Sequence, residues 1–181
     1  MGWALALLPD EAGQRTIGRL WQALRQEGFH SPLYEGESLP HLSLTLLQTQ
    51  DGSLPERAAR LAAGLEPIDV TMAGTAAFGR EVLYLAPQPL GALLAAHRQA
   101  MAALGPLIAL CDGHYLPGAW TPHLSLAVNL DGPDLARADR VVAKHFAPFA
   151  CRLAELAVIK YHPAVVVARH TLAAPPAERT P

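Results

Sequence analysis

One pentapeptide, Pro-His-Leu-Ser-Leu, occurs twice in this chain and constrains the fold more than any other feature. The first copy covers residues 40–44, and the second, at residues 122–126, follows 82 positions later. Successive side chains of a strand point to opposite faces, so each copy places its histidine and serine on one face and its two leucines on the other. Both copies therefore predict a buried strand that carries a polar pair.

The elements around the two copies also repeat. Apolar periodicity and turn residues predict a strand, then helix, motif strand, helix and hairpin, and then the last four again. The predicted strands cover residues 3–8, 40–48, 68–72, 82–86, 151–160 and 164–172, and the second motif strand begins at residue 122. The predicted helices lie between Asp10 and Gly28, at 54–65, at 90–104 and from 131 to 146, with loops at 29–39 and 107–121. An internal duplication explains this order most simply.

Length and charge limit what such a chain can do. At 181 residues, of which 51% are hydrophobic, it is predicted to form one bilobal domain over residues 1–174. The Pro-rich residues 175–181 are expected to form a flexible tail. The net charge of −2 argues against a broad basic surface for long duplex nucleic acid. A short anionic ligand remains compatible with this charge.

Nothing in the sequence indicates export or membrane insertion. The apolar residues 3–8 form too short a run for a signal peptide and follow no basic region. No stretch is expected to reach the roughly twenty apolar residues that cross a bilayer. Cys111 and Cys151 have no metal-ligand spacing and are interpreted as reduced thiols. We therefore expect a cytoplasmic, monomeric protein that does not bind membranes.

Two imidazoles and two hydroxyls suit phosphoester chemistry if the motif strands face each other. The ordinary pKa of histidine lies near neutral pH, so one of His41 and His123 can accept a proton while the other donates one. The hydroxyls of Ser43 and Ser125 can hydrogen-bond to phosphoryl oxygens. Because each motif carries serine where a second metal ligand would be needed, we expect no metal and no other cofactor.

The paired His-x-Ser motifs at this separation resemble those of the 2H phosphoesterase superfamily, which includes the bacterial and archaeal 2',5' RNA ligase and cyclic phosphodiesterase proteins. Residues 74–104, with Phe78-Gly79 before an apolar strand and a Leu-rich helix, resemble the corresponding hairpin and helix of that family. The resemblance implies an α+β fold. Two pseudo-symmetric lobes, each a small antiparallel sheet with helices on the outside, would surround a central cleft that holds both motifs.

The resemblance also implies roles for the motif residues. His41 and His123 would be the acid/base pair, and Ser43 and Ser125 would bind the phosphate. The implied activity is metal-independent hydrolysis of small 2',3'-cyclic nucleotides or RNA ends to a 2'-phosphate. Two alternatives stay open: 2',5' RNA ligation by the same residues, and binding of a nucleotide or RNA end without turnover. The residues do not indicate which histidine is the base.

Other side chains near the motifs are weaker candidates. Three aromatic residues in adjoining loops could stack on a nucleobase: Tyr34, Tyr115 and Trp120. His114 is the best candidate for a third histidine in the site, because it also lies in the loop before the second motif. Phe78 and Tyr84 are expected to belong to the core.

Overall fold

One antiparallel sheet carries both motif strands and is accompanied by four α-helices. The computed structural model describes residues 2–35, 38–49, 51–161 and 164–173. The strands are β1 (Gly2–Pro9), β2 (Leu42–Ser43), β3 (Leu47–Gln48), β4 (Ile68–Phe78), β5 (Val82–Gln88), β6 (Leu124–Ala127), β7 (Phe149–Tyr161) and β8 (Val165–Thr171). The helices are α1 (Glu11–Gln26), α2 (Leu54–Ala62), α3 (Gly91–Leu104) and α4 (Gly132–His145). The predicted α+β class is confirmed.

The order of the strands places the two sequence halves symmetrically in the sheet. Along the sheet it is β2-β1-β7-β4-β5-β6, while β3 also pairs with β1 and β8 with β7. The two halves exchange strand partners: β4 of the first half pairs with β5 of the second, and β7 of the second half pairs with β1 of the first. The antiparallel β4–β7 pair, with Ile68 opposite Leu153, joins the halves. The two small sheets that the resemblance implies are therefore continuous.

The first strand and helix follow directly from their sequence pattern. Residues 4–8 of β1 have no exposed surface, since β1 is paired on both sides, with β2 and β3 at one edge and β7 at the other. The Asp10 carboxylate caps α1 by accepting a hydrogen bond of 2.8 Å from the Gly13 N–H. Gly28, with φ of +82°, follows the helix in the left-handed region that suits glycine.

The first motif strand is shorter than predicted. Instead of one strand over residues 40–48, the chain forms β2 and β3 with a break between them. At the break the N–H groups of Leu44 and Thr45 both donate to the Leu5 carbonyl, at 2.8 and 3.3 Å. The Thr45 hydroxyl accepts a hydrogen bond of 3.1 Å from the Leu5 N–H. A side chain thus replaces a main-chain carbonyl in the ladder, and the strand is interrupted as at a bulge.

Three further boundaries differ from the sequence prediction or lie outside the described residues. β4 continues to Phe78, six residues beyond its predicted end, because β5 pairs with it along the whole hairpin. The predicted loop at 107–121 contains the end of one 3-10 helix, Gly105–Leu110, and all of another, Gly113–Tyr115. The predicted tail at 175–181 and the turn residues 162–163 lie outside the described residues.

One helical stretch is longer and more apolar than the sequence analysis expected of any segment. Gly91–Leu110 is 20 residues long and is long and apolar enough to cross a bilayer by length and composition alone. It is α3 continued by a 3-10 helix, and the change of helix type occurs at Gly105, whose φ is +55°. Leu93 and Leu104 are fully buried in the protein core. One face of this stretch therefore packs into the core, while Leu94, Ile108 and Leu110 are exposed.

Two glycines of α1 should respond in opposite ways to alanine. A Cβ at Gly13 would lie 2.7 Å from Cys151 Sγ and 3.0 Å from Asp10 Oδ1, whereas a Cβ at Gly18 would meet nothing within 4 Å. We expect Gly13→Ala to lower the free energy of unfolding by about 1–3 kcal/mol through overpacking. Gly18→Ala should raise it by roughly 0.5–1 kcal/mol through helix propensity. Urea unfolding of both variants checks this, and a stabilised Gly13→Ala variant would contradict the described packing.

Candidate active site

Each motif histidine lies directly before its strand and is oriented by the main chain. His41 Nδ1 is 2.7 Å from the Leu39 carbonyl oxygen, and His123 Nδ1 is 2.8 Å from the Thr121 carbonyl oxygen. A carbonyl can only accept, so Nδ1 must carry the proton in both neutral imidazoles. Nε2 is consequently the nitrogen that can exchange protons in each ring.

The fold brings the two motifs together although their strands lie at opposite ends of the strand order. Cα atoms of β2 and β6 approach within 8 Å of each other. The sheet therefore curls until its two motif strands meet. The charge of His123 contributes to lowering the pKa of His41, which also reflects their proximity. The sequence-based expectation that both motifs share one site agrees with this geometry.

Two tryptophans each donate a hydrogen bond to the main chain of one motif. The Trp120 indole N–H donates a hydrogen bond of 3.1 Å to the main-chain carbonyl of Ser43, in the first motif. The Trp21 indole N–H, from α1, donates one of 3.3 Å to the carbonyl of Ser125, in the second motif. Each indole thus belongs to one half of the chain and holds the motif of the other half. These bonds link the main chain of each motif serine to the other half of the protein.

Burial sets the protonation of both histidines. Burial lowers the pKa of His41, the hydrogen bond to Leu39 opposes this shift, and the charge of His123 adds a smaller decrease. Burial also lowers the pKa of His123, against the opposing hydrogen bond to Thr121. Both imidazoles are therefore neutral at pH 7, so each Nε2 presents a lone pair to the site.

The surroundings of the two histidines differ. His41 Nε2 lies 2.9 Å from the Tyr161 hydroxyl, which is also 3.5 Å from Ser43 Oγ. The His123 ring instead meets two aromatic rings edge-on, with centroids 4.9 Å from Phe78 and 5.6 Å from Tyr84. The repeated scaffold therefore holds a polar environment at the first histidine and an aromatic one at the second.

The motif serines are also unequally placed. Ser43 is 7% exposed and lies among hydroxyl groups, since hydrogen bonds with it oppose the burial-driven rise in the pKa of both Tyr115 and Tyr161. Ser125 is more exposed and lies opposite Tyr84 in the β5–β6 pair. Both remain candidates for phosphate binding, with the Ser43 hydroxyl in the more crowded position.

Of the three predicted stacking residues, Tyr115 is the one whose ring lies beside the ring of a motif histidine. Its ring centroid is 6.2 Å from that of His123. Trp120 is 7% exposed, and the His97 ring is stacked on it at 4.2 Å, so that face is closed to a nucleobase. Tyr34 is 9% exposed and packs against Trp21. Burial therefore argues against the predicted stacking role of Trp120 and Tyr34.

Two other expectations are corrected by the structure. His114 does not reach the motifs: its side chain is 95% exposed and its Nδ1 lies 3.0 Å from Asp112 Oδ1. Phe78 was expected in the core, yet it is 36% exposed and covers Tyr84, on which it stacks at 4.3 Å. Its place at the end of β4 accounts for this exposure, because the hairpin turns immediately afterwards. Tyr84 is buried as expected.

Sequence reasoning missed Tyr161, Trp21 and the site role of Phe78. Tyr161 lies just beyond the predicted strand at 151–160, although it is the last residue of β7. Trp21 fits the apolar face of α1, and its indole N–H was the only sign of a polar role. All three contacts join residues distant in sequence, so periodicity alone could not reveal them.

Two cavities in the described part of the protein lie away from the motif residues. They have volumes of about 410 and 220 Å³. The larger lies between α2 and α3 beside Arg57 and Arg60, and the smaller lies beside Trp21 and Tyr34. Neither is lined by a motif histidine or serine, so neither replaces the motif site as the candidate centre.

Comparison with known proteins identifies the family. The sequence model of the 2'-5' RNA ligase superfamily matches residues 8–164, which is most of the chain. The chain belongs to the 2'-5' RNA ligase superfamily. The resemblance inferred from the two pentapeptides, to the 2H phosphoesterases, is confirmed by this match. No curated protein sequence matches the chain.

Solved structures show the same fold as this superfamily member at low sequence identity. TT0787 of Thermus thermophilus is 18% identical with a TM-score of 0.63, covering 96% of this chain and 99% of that one. Apo LigT of E. coli is 16% identical with a TM-score of 0.61, covering 95% and 97%. The MHV ns2 PDE domain is 16% identical with a TM-score of 0.51, covering 92% and 99%. The predicted 2H phosphoesterase fold is therefore confirmed.

Removing the indole N–H of Trp21 or Trp120 should destabilise the protein. We expect Trp120→Phe and Trp21→Phe each to lower the free energy of unfolding by about 1 kcal/mol more than a matched control, because a motif carbonyl loses a hydrogen-bond donor. The control is Trp3→Phe, since the buried Trp3 indole N–H has no hydrogen-bond partner within the described residues. Urea unfolding measures all three, and equal losses would show that the indole hydrogen bonds contribute nothing.

Proposed function

We propose that the protein is a metal-independent phosphodiesterase that opens small 2',3'-cyclic nucleotides or cyclic phosphate ends of RNA. One observation carries the proposal: two imidazoles, each with Nδ1–H held by a main-chain carbonyl, flank two serine hydroxyls where the motif strands meet. Membership of a superfamily of phosphodiesterases and ligases supports the same class of reaction. The proposal assigns His41 and His123 as the acid/base pair.

The proposed reaction needs one neutral and one protonated histidine. The neutral Nε2 takes a proton from water as the water oxygen forms a bond to phosphorus. The protonated Nε2 gives its proton to the leaving ribose oxygen as the phosphorus–oxygen bond breaks. For a 2'-phosphate product the bond to the 3' oxygen breaks, a choice that rests on family resemblance alone. Ser43 and Ser125 would hydrogen-bond to the phosphoryl oxygens and hold phosphorus in line.

Charge and surroundings favour a small substrate. No Arg or Lys side chain hydrogen-bonds to a motif residue in the portion of the chain that the structure describes, and Arg152 and Arg169 pair with Asp69 and Glu155. A long RNA needs many phosphate contacts, which such a surface does not offer. E. coli LigT has been crystallised with 3'-AMP, ATP, NADP+ and phosphate, and we propose that this chain likewise accepts small nucleotides.

The described residues support proton transfer by histidine as the central chemistry. Among residues 2–35, 38–49, 51–161 and 164–173, no three His, Cys, Asp or Glu side chains are grouped as a metal site. We assign each proposed step to His41, His123 and the hydroxyl groups beside them. Ligation of 2',5' RNA ends would use the same residues in reverse and would differ in requiring a second RNA end.

Replacing either histidine should abolish ring opening. We expect the EDTA-treated wild type to open 2',3'-cyclic nucleotides, and His41→Ala and His123→Ala to lower kcat/KM by roughly 10²–10⁴-fold, the usual contribution of general acid/base catalysis. Ser125→Ala should have a smaller effect. Phosphorus NMR time courses show the loss of the cyclic phosphate and the position of the product phosphate. His114→Ala is the control, since this exposed histidine lies outside the site.

Other outcomes would favour the alternative functions. Full activity in both His→Ala variants would overturn the two-histidine assignment. Turnover that requires a second RNA end would identify the ligase reaction. A cyclic nucleotide that binds but stays intact for hours would indicate a binding protein.

The pH profile should be bell-shaped with an optimum below about pH 6.5, the ordinary pKa of histidine. Burial lowers the pKa of both histidines, and the active form, with one neutral and one protonated, is most populated between the two lowered values. The profile of kcat should lie at higher pH than that of kcat/KM, because the substrate anion stabilises the imidazolium.

Acid unfolding must be separated from this titration. The unfolded chain binds protons below about pH 6.5, whereas the folded protein resists protonation of these buried histidines, so stability falls as pH falls through that range. Tryptophan fluorescence at each pH would identify the folded interval. A kcat/KM that rises monotonically from pH 5 to 9 while the protein stays folded would contradict paired acid/base roles.

A further inference from the structure

Tyr161 places its hydroxyl group beside His41 and Ser43 in the motif site. It is the last residue of β7 and lies opposite Gly2 of β1. Its hydroxyl oxygen is 2.9 Å from His41 Nε2 and 3.5 Å from Ser43 Oγ. Because His41 Nδ1–H is already donated to the Leu39 carbonyl, the Nε2 lone pair accepts from the Tyr161 O–H in the neutral enzyme.

Catalysis by His41 would require this hydroxyl to change partner. During proton transfer His41 Nε2 must face the reacting oxygen, so the Tyr161 O–H needs another acceptor. A substrate oxygen placed between the Tyr161 and Ser43 hydroxyls could be this acceptor. An oxygen about 2.7 Å from both hydroxyls, the usual O–H···O distance, would subtend roughly 80° between them. A single phosphoryl oxygen can therefore accept from Tyr161 and Ser43 together.

We propose that the Tyr161 hydroxyl is a catalytic donor to the substrate, sharing one non-bridging phosphoryl oxygen with Ser43 while Ser125 holds the other oxygen. This assignment rests on the proposed function and extends it by naming a third phosphate ligand. The O–H moves from His41 Nε2 to the phosphoryl oxygen when substrate binds, and no covalent bond forms or breaks on Tyr161. Burial raises the pKa of Tyr161, which keeps the hydroxyl protonated and able to donate.

Among the residues that the structure describes, no hydroxyl hydrogen-bonds to His123 Nε2 as the Tyr161 hydroxyl does to His41 Nε2. In the duplicated sheet, Ser43 lies opposite Ala6 of β1, and Ser125 lies opposite Tyr84 of β5. Tyr161 lies opposite Gly2, four residues before Ala6, and the matching position in the second half falls in the turn after Phe78. Phe78 and Tyr84 present aromatic rings to His123 instead. The two phosphoryl oxygens are therefore held by unequal sets of donors, which gives a symmetric scaffold a preferred substrate orientation.

Stereospecific sulfur substitution tests the contact. In the two diastereomers of a nucleoside 2',3'-cyclic phosphorothioate, sulfur, a weak hydrogen-bond acceptor, replaces one or the other non-bridging oxygen. We expect Tyr161→Phe to lower kcat at least about tenfold for the oxygen substrate and for the diastereomer that keeps oxygen at the shared position. For the diastereomer with sulfur at the shared position, Tyr161→Phe should lower kcat by less than about threefold, because sulfur already weakens the contact with the Tyr161 hydroxyl. Ser43→Ala should show the same preference and Ser125→Ala the opposite one.

A matched variant and a binding measurement make every outcome informative. Tyr34→Phe is the control, since it removes a buried tyrosine hydroxyl that has no partner within the described residues and lies outside the motifs. Equal losses for both diastereomers in Tyr161→Phe would overturn the phosphoryl contact and indicate a packing role. If the wild type opens no cyclic phosphate, the hydrolase proposal fails, and calorimetric binding of a nucleoside 2'-phosphate decides the role of Tyr161. Weaker binding by Tyr161→Phe would support the contact, whereas unchanged binding, or no binding by the wild type, would overturn it.

Discussion

The antiparallel pairing of β4 with β7 is the contact on which the site depends. Each sequence half supplies one of these strands, and each strand also pairs with the first strand of the other half. Neither half can complete its part of the sheet without the other. The motif strands β2 and β6 take mirrored places at the two ends of the strand order for this reason. Main-chain hydrogen bonds between residues distant in sequence thus position the two strands that follow the histidines.

Side-chain contacts then link each motif to the other half of the chain. The indoles of Trp21 and Trp120 reach across to the carbonyls of Ser125 and Ser43, so movement of either motif would break a hydrogen bond made by the other half. His97 stacks on Trp120, and its Nε2 donates to the Tyr115 carbonyl at 2.8 Å. Burial lowers the pKa of His97 as it does for the motif histidines. The site is therefore supported by a neutral, buried aromatic network and not by ion pairs.

The two halves of the chain share a scaffold but differ in the chemistry around their histidines. The two halves repeat the motif and the hydrogen bond from each imidazole to the carbonyl two residues earlier. They differ where β7 ends in Tyr161 and β4 ends in Phe78. A hydroxyl and an aromatic ring have different effects on an imidazole, because only the hydroxyl can donate to Nε2. One residue at the end of one strand can thus make the two histidines chemically different within a symmetric fold.

The sequence alone determined the family, the α+β class, most elements and the motif pair, because these follow from local periodicity, turn residues and a repeat visible in the chain. Asp10 as a helix cap is one such local signal. Only the tertiary structure decided what surrounds the motifs: His114 points to solvent, and Tyr161 reaches His41 from 120 residues away. The interruption of the first motif strand at Thr45 likewise depends on another strand. Local pattern specifies which face a side chain occupies, whereas long-range pairing specifies what lies opposite that face.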